Sequence, residues 1–366
     1  MYIKPFGVEE WMNDHETWCK YNLGETCVCP LSLKELEALG DFKIEDLPIR
    51  FTYGDITGSP KLKDAIIDFY KDKGAQDLDD NNLTITHGGS GANYLIYAAL
   101  ADKESEFIVL TPTYQQHQSI PEAHGAVIHE VSLLDDDYLE HVSALVNKHT
   151  KAISLTNPCN PLGTVLTQEE MQKLVAIAQK NNSYIIADEV YLGLAPKTPS
   201  FLALYDKTIS TFSLSKSFSL AGLRLGAVVG PKEVIKAINS YRDYSLISCS
   251  PLDDTLAMMA LNNRKALIDR NLSIAQDNRD YLLKSIKNSK NLYFKKEPTD
   301  GSICLVSYKF AMDSAEFCEK IQKECGILLV PGCCFGVEHS FRIGYGFLKD
   351  ELKQGLDILV EYTNKL

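Results

Sequence analysis

The chain has no run of about 18 or more apolar residues, so no membrane-spanning helix is expected. Its first residues, MYIKPFGVEEWMNDHE, lack the apolar core of a signal peptide and carry acids early. Basic charge is scarce: 37 Lys and Arg stand against 49 Asp and Glu, a net charge of −12. An acidic chain without a basic patch argues against nucleic acid as its main partner. The ten cysteines are scattered and form no pair of CxxC units, so no zinc signature is present. They read as reduced thiols packed as small apolar side chains, and the chain is expected to be cytoplasmic. Internal repeats and low-complexity tracts are absent too.

What is present is a chain of 366 residues, too long for one simple core and suited to two domains. SPKLKDAIIDFYKDKG, residues 59–74, predicts a helix with a serine cap, a proline at its first position and a glycine stop. From about residue 83 short apolar segments alternate with helical ones: LTITH, EFIVLT, AVIHEVS, TKAISLT, SYIIAD, KTISTFS and LRLGAVV read as strands. Such alternation predicts a mostly parallel sheet covered on both faces. Residues 231–290 read as largely helical, and the remainder as a smaller α+β unit to which the first residues contribute. Ligands on a parallel sheet bind at the carboxyl ends of the strands. The polar residues collect there: His87-Gly88-Gly89-Ser90, Tyr114, Asn157 to Asn160, Asp188 and Lys216.

The segment SLSKSFSLAGLRLG, residues 213–226, puts one lysine in an otherwise apolar stretch. A buried ammonium is expensive, and a desolvated lysine can serve as a nucleophilic amine that forms a Schiff base. Alone, Lys216 reads as a paired or snorkelling side chain. HGGSGAN, however, opens a helix directly after a strand, where backbone N–H groups make an anion cradle. Ser213 and Arg224 add two phosphate-type donors close to Lys216 in sequence. A lysine beside a phosphate site suggests a phosphorylated aldehyde cofactor. Asp188, at the end of SYIIAD, can hold a pyridine nitrogen protonated, or cap a turn. Tyr191 and Asn160 can hydrogen-bond a ring hydroxyl, or pack a loop. Tyr114, in TPTY, can stack on a ring or fill a core.

Taken in order, YGDITGS, THGGSGAN, PTY, NPCNPLG, DEVY, SLSKSFSLAGLRLG and FRIGYG resemble the class I/II aminotransferases, the pyridoxal-phosphate enzymes of fold type I. The resemblance spans nearly the whole chain. It implies an α/β large domain with a seven-stranded, mostly parallel sheet over residues 40–245. Residues 1–39 and 246–366 would form the small domain. Lys216 would carry the cofactor as an internal aldimine and shuttle the α-proton, and Asp188 would pair with the pyridinium. Asn160 and Tyr191 would contact the ring oxygen, and Tyr114 would stack on the ring. Gly89, Ser90, Ser213 and Arg224 would hold the phosphate, while Arg342, with Asn160 beside it, would bind the substrate α-carboxylate. Tyr53 would reach the phosphate in the neighbouring subunit of a homodimer.

On this resemblance the chain is a transferase acting on an L-amino acid and a 2-oxo acid. An alternative keeps the same site and changes the outcome: a lyase that eliminates from the β or γ carbon, or a cyclase of an arginine derivative, like capreomycidine synthase. A third reading, a cofactor-binding transcription regulator, would need a basic DNA-binding extension that the sequence does not show. The N-terminus is short, so the first residues are expected to fold over the substrate pocket. Glu9, Glu10 and Glu25 then either meet a cationic substrate or form an exposed acidic face. No second arginine is placed by sequence logic in a side-chain pocket, although Arg50 and Arg242 stay open. Ser215 is either a further site hydroxyl or a packing residue, and His15 and His87 are assigned no role.

Overall fold

The computed structural model describes residues 2–40, 42–347 and 349–366. Its helices include α1 (Gly7–His15), α2 (Pro60–Asp72), α3 (Gly88–Leu100), α4 (Gln168–Lys180), α5 (Arg264–Lys287), α6 (Ser314–Cys325) and α7 (Lys349–Thr363). Among the described residues no helix is long and apolar enough to cross a membrane. The start of α2 follows from its sequence. Ser59 Oγ accepts from the Leu62 amide at 3.2 Å, Pro60 needs no donor there, and Gly74 takes the positive φ of +95° that ends the turn. Thr167 and Glu170 cap α4 reciprocally, each side chain accepting from the other's backbone amide.

The central sheet has seven strands: β1 (Leu83–His87), β2 (Glu106–Thr111), β3 (Val127–Ser132), β4 (Thr150–Thr156), β5 (Tyr184–Asp188), β6 (Thr208–Ser213) and β7 (Leu225–Val229). Their order is β1-β7-β6-β5-β4-β2-β3. The pairings β3–β2–β4–β5–β6 are parallel, and β7 runs antiparallel to both β6 and β1. The two-residue period divides the side chains between two cores. Phe107, Val109 and Ile186 join Leu95 and Ile96 of α3 on one face. Ile108, Leu110 and Ile185 join Met171 and Leu174 of α4 on the other. Both faces are covered, so these strands read as unbroken apolar runs rather than alternating ones.

A second sheet, β8 (Leu292–Tyr293), β9 (Ile303–Tyr308), β10 (Val330–Pro331) and β11 (Ser340–Gly344), is antiparallel in the order β10-β11-β9-β8. Its core holds an aromatic stack in which Phe317 of α6 lies 4.4 Å from the Tyr308 ring and 5.6 Å from the Phe341 ring, centroid to centroid. Phe317 is fully buried. Phe317→Ala is expected to lower unfolding stability by about 3–5 kcal/mol, read as a fall in the urea midpoint.

Two short helices, Gln116–Ala123 and Tyr138–Leu145, lie where the sequence shows only connections. Pro121 sits inside the first, and a run of three aspartates precedes the second, and both obscure the helical period.

Candidate active site

The carboxyl ends of the parallel strands open into a cavity of about 550 Å³. Of the residues singled out from the sequence, Lys216, Asp188, Tyr191, Asn160 and Tyr114 line it. So do Gly89, Ser90, Ser213, Arg224 and Arg342. Ser215 lines it too and donates its backbone amide to Ser213 Oγ at 3.1 Å. Glu9 and Glu25 face it, whereas Glu10 does not and is exposed. Tyr53 lies outside this chain's cavity and is 72% exposed. Arg50 and Arg242 do not line it either. Arg242 is buried elsewhere, donating to the carbonyls of Ile85 and Ile247 at 3.0 and 2.8 Å.

Asp188 ends β5 with only 4% of its surface exposed. Asn93 Nδ2 donates to its Oδ2 at 3.0 Å, and His117 Nε2 approaches the same oxygen at 3.3 Å. Each of these partners is itself held. Thr211 donates to Asn93 Oδ1 at 2.7 Å, and His117 Nδ1 meets the Tyr97 hydroxyl at 2.8 Å. The carboxylate is therefore fixed in orientation from behind. Sequence reasoning missed both partners. Asn93 carried a signal, because it stands three residues after Ser90 on α3 and so shares its helix face. His117 carried none, since it arrives from the helix that the sequence concealed.

At the other end, α3 begins with Gly88 at a φ of +65°. A Cβ there would lie 2.9 Å from Arg224 Nη2, so glycine lets the guanidinium lie against the helix N-terminus. Arg224 and Ser90 are both exposed.

Lys216 Nζ lies 2.5 Å from Thr26 Oγ1 and 3.4 Å from Cys27 Sγ. These partners come from a loop fastened to the small sheet: Gly344 N donates to Leu23 O at 2.8 Å, and Ser302 Oγ to Thr26 O at 2.6 Å. A Cβ on Gly344 would fall 1.8 Å from the Glu25 carbonyl oxygen, so only glycine lets β11 pass this closely. Burial pushes the Lys216 amine down, but Cys27, Tyr191 and Glu25 outweigh it and hold the ammonium above its ordinary range. Burial also raises Cys27 to about 11 and raises Tyr191, so at neutral pH both are protonated and Glu25 is the counter-charge. Glu25 agrees: burial would raise its carboxyl, yet Lys216 and the Cys27 and Thr26 amides hold it below the usual value.

Arg342, on β11, is 3% exposed. Nη2 donates to the Gly24 carbonyl at 3.0 Å, Nη1 contacts Asn160 Oδ1 at 3.4 Å, and Nε has no partner. Burial lowers the pKa of its guanidinium, and Tyr191, Tyr114, Glu25 and Glu9 partly offset this. Helix α1 roofs the cavity. The Tyr114 hydroxyl donates to Glu9 Oε1 at 2.6 Å, and the Phe6 and Tyr114 rings lie 4.8 Å apart. Trp11 Nε1 donates to Leu329 O at 2.8 Å and Gly7 N to Gln115 Oε1 at 3.0 Å, so the roof is tied to both sides of the cleft.

A lysine amine, a buried carboxylate and a buried arginine around one cleft at strand ends define an active site in an α/β enzyme. A model of the family described as aminotransferase class I and II matches residues 22–359, and the chain belongs to that family. Its cofactor is pyridoxal phosphate. A PLP-dependent aminotransferase from Streptococcus suis superposes with a TM-score of 0.93 at 31% identity, over 100% of this chain and 99% of that one. The PLP-dependent cyclase OrfR superposes at 0.91 with 25% identity, over 100% and 98%. Capreomycidine synthase of Streptomyces vinaceus is 26% identical over 97% of this chain and 92% of its own length. The aspartate/prephenate aminotransferase of Thermus thermophilus is 26% identical over 83% and 81%. The donor set suits the cofactor. The cradle beside Gly88 and Arg224 suits a phosphate, Asp188 suits a protonated ring nitrogen, and Lys216 suits an aldehyde.

Proposed function

We propose that the chain transfers the amino group of an L-amino acid to a 2-oxo acid. The observation that carries this reading is the convergence of Lys216, Asp188 and the partner-free Nε of Arg342 on one cavity. Bound there, pyridoxal phosphate supplies an aldehyde for the lysine amine and a ring that draws electrons from the substrate α-carbon. Arg342 binds the α-carboxylate, with Asn160 beside it, and aims the α-carbon at Lys216. Lys216 would take the α-proton at Nζ and return it to the carbon on the far side of the substrate nitrogen, so that no proton is gained or lost. Asp188, oriented by Asn93 and His117, holds the ring nitrogen protonated. Asn160 and Tyr191 would donate to the ring oxygen, and Tyr114 would stack on the ring. Gly89, Ser90, Ser213 and Arg224 would hold the phosphate. The roof of α1 excludes water.

The exposed phosphate end and an apolar surface beside it support a homodimer. Phe51 is 94% and Tyr244 95% exposed, next to exposed Tyr53 and Ile247, and Gly54 N donates to Ser248 Oγ at 3.2 Å to join the two loops. In the dimer Tyr53 covers the partner's phosphate site. Tyr53→Phe is expected to weaken cofactor affinity by about 10- to 100-fold, the worth of one hydrogen bond to a charged group, read by equilibrium titration of the cofactor-free protein. A monomeric mass in solution would contradict this arrangement.

A second reading has its own support: capreomycidine synthase aligns over more of the chain than the aspartate/prephenate aminotransferase does, and OrfR superposes over all of it. In that reading the same residues serve elimination and ring closure. One titration separates the two. Holoenzyme is mixed with a panel of amino acids while its absorbance is followed. A stable change to the aminated cofactor, reversed by a 2-oxo acid, supports transamination. Release of ammonia or a cyclised product, with the spectrum returning unaided, supports the second reading.

A further inference from the structure

The cavity carries more negative charge than the proposed chemistry uses. Its lining cations are Lys216, Arg224 and Arg342. In the reading above, which this inference rests on, each has an anionic or covalent partner among cofactor and α-carboxylate. Asp188 likewise has the ring nitrogen. Three carboxylates are left over: Glu9 on α1, Glu16 just after it, and Glu25 on the loop fastened to β11. Their protein donors are mostly neutral. Tyr114 donates to Glu9 at 2.6 Å, Asn22 to Glu16 at 3.1 Å, and the amides of Thr26 and Cys27 to Glu25 at 2.6 and 2.8 Å. Lys216 acts on Glu25, and Arg342 feels both Glu25 and Glu9, but the lysine nitrogen is committed once it bonds the cofactor and the guanidinium once it holds the α-carboxylate.

The buried, unpartnered Arg342 Nε faces the same cavity and points to a ligand carboxylate. A substrate anchored there sends its side chain toward the roof, where Glu9 stands bonded to Tyr114. Unmatched carboxylates in a half-enclosed cleft repel an acidic side chain and favour a cationic one. We propose that the amino-acid substrate carries a positive charge on its side chain, an amine or guanidinium, and that Glu9 and Glu25 select it. This separates the chain from the aspartate aminotransferases it resembles.

The test uses holoenzyme with L-arginine and L-ornithine, the neutral isostere L-citrulline, and L-aspartate and L-glutamate. The rate of cofactor conversion gives kcat/KM for each. Calorimetry of the cofactor-free protein with arginine and citrulline gives the same comparison without turnover. A cationic amino acid is expected to lead citrulline by at least about 10-fold and the acids by more, with Glu9→Gln and Glu25→Gln each moving the ratio toward one. Equal or better use of citrulline or aspartate, or a ratio that neither variant moves, overturns the assignment while leaving the transaminase reading intact. Failure of every amino acid in a complete panel to react overturns the transaminase reading, and this inference with it.

Discussion

Lys216→Ala is expected to lower turnover by about 10³-fold or more while the protein still folds and still binds free cofactor. Two losses combine. The covalent anchor disappears, and so does the amine that moves the α-proton, a role alone worth about 10²–10⁴-fold. The fold survives because Lys216 Nζ hydrogen-bonds two side chains, Thr26 Oγ1 and Cys27 Sγ, and the loop bearing them is held separately by Gly344 and Ser302. Glu25 loses its counter-charge, so its carboxyl should shift upward in the variant. The measurements are the absorbance of the lysine-bound cofactor, the single-turnover rate, and rescue by a small exogenous amine. Retention of the absorbance band and of normal turnover would refute the assignment of Lys216.

Much of this site was legible because several of its residues stand at or just beyond strand ends. Asp188 closes β5, Ser213 closes β6, and Ser90 opens α3 after β1. The apolar runs that mark the strands therefore also mark where the polar residues converge. The unbroken apolar pattern of EFIVLT and SYIIAD made the doubly covered sheet readable, and the Ser59-Pro60 start made α2 readable. What the sequence hid is what depends on distant partners. Thr26 and Cys27 reach Lys216 across 190 and 189 positions, and the contact exists because β11 carries a glycine where the loop passes. Neither residue type signals a site by itself. His117 was hidden by the proline in its helix. The fate of the acids divided by geometry: Glu9 and Glu10 are both exposed on α1, but Glu9 lines the cavity mouth, while Glu10, one residue and about 100° further round the helix, does not.

Helix α1 is only nine residues long and has a single fully buried side chain, Val8, so it contributes little core of its own. It is held instead by bonds to both sides of the cleft, from Trp11 to Leu329 and from Gly7 to Gln115. An element held this way opens more easily than the sheet beneath it, which suits a cleft that must admit substrate and then exclude water.

Arg342→Ala should produce the second large effect, and a different one. Truncating one partner of a buried, charge-assisted pair costs about 2–5 kcal/mol, so kcat/KM for the amino acid should fall by about 10²–10³-fold or more. The cofactor should bind nearly as before, because the proposed phosphate donors Ser90 and Ser213 lie on α3 and β6 and Arg224 lies just before β7, not on β11. The loss should appear with every amino acid, since all share the α-carboxylate. Glu9→Gln should instead discriminate between cationic and neutral substrates. Asn160 contacts Arg342 Nη1 at 3.4 Å and cannot replace its charge, so Arg342→Lys, with one point charge instead of a fork, should recover only part of the rate. Parallel losses of cofactor and amino-acid affinity in Arg342→Ala would mean that the guanidinium supports the cofactor end of the cleft rather than the substrate.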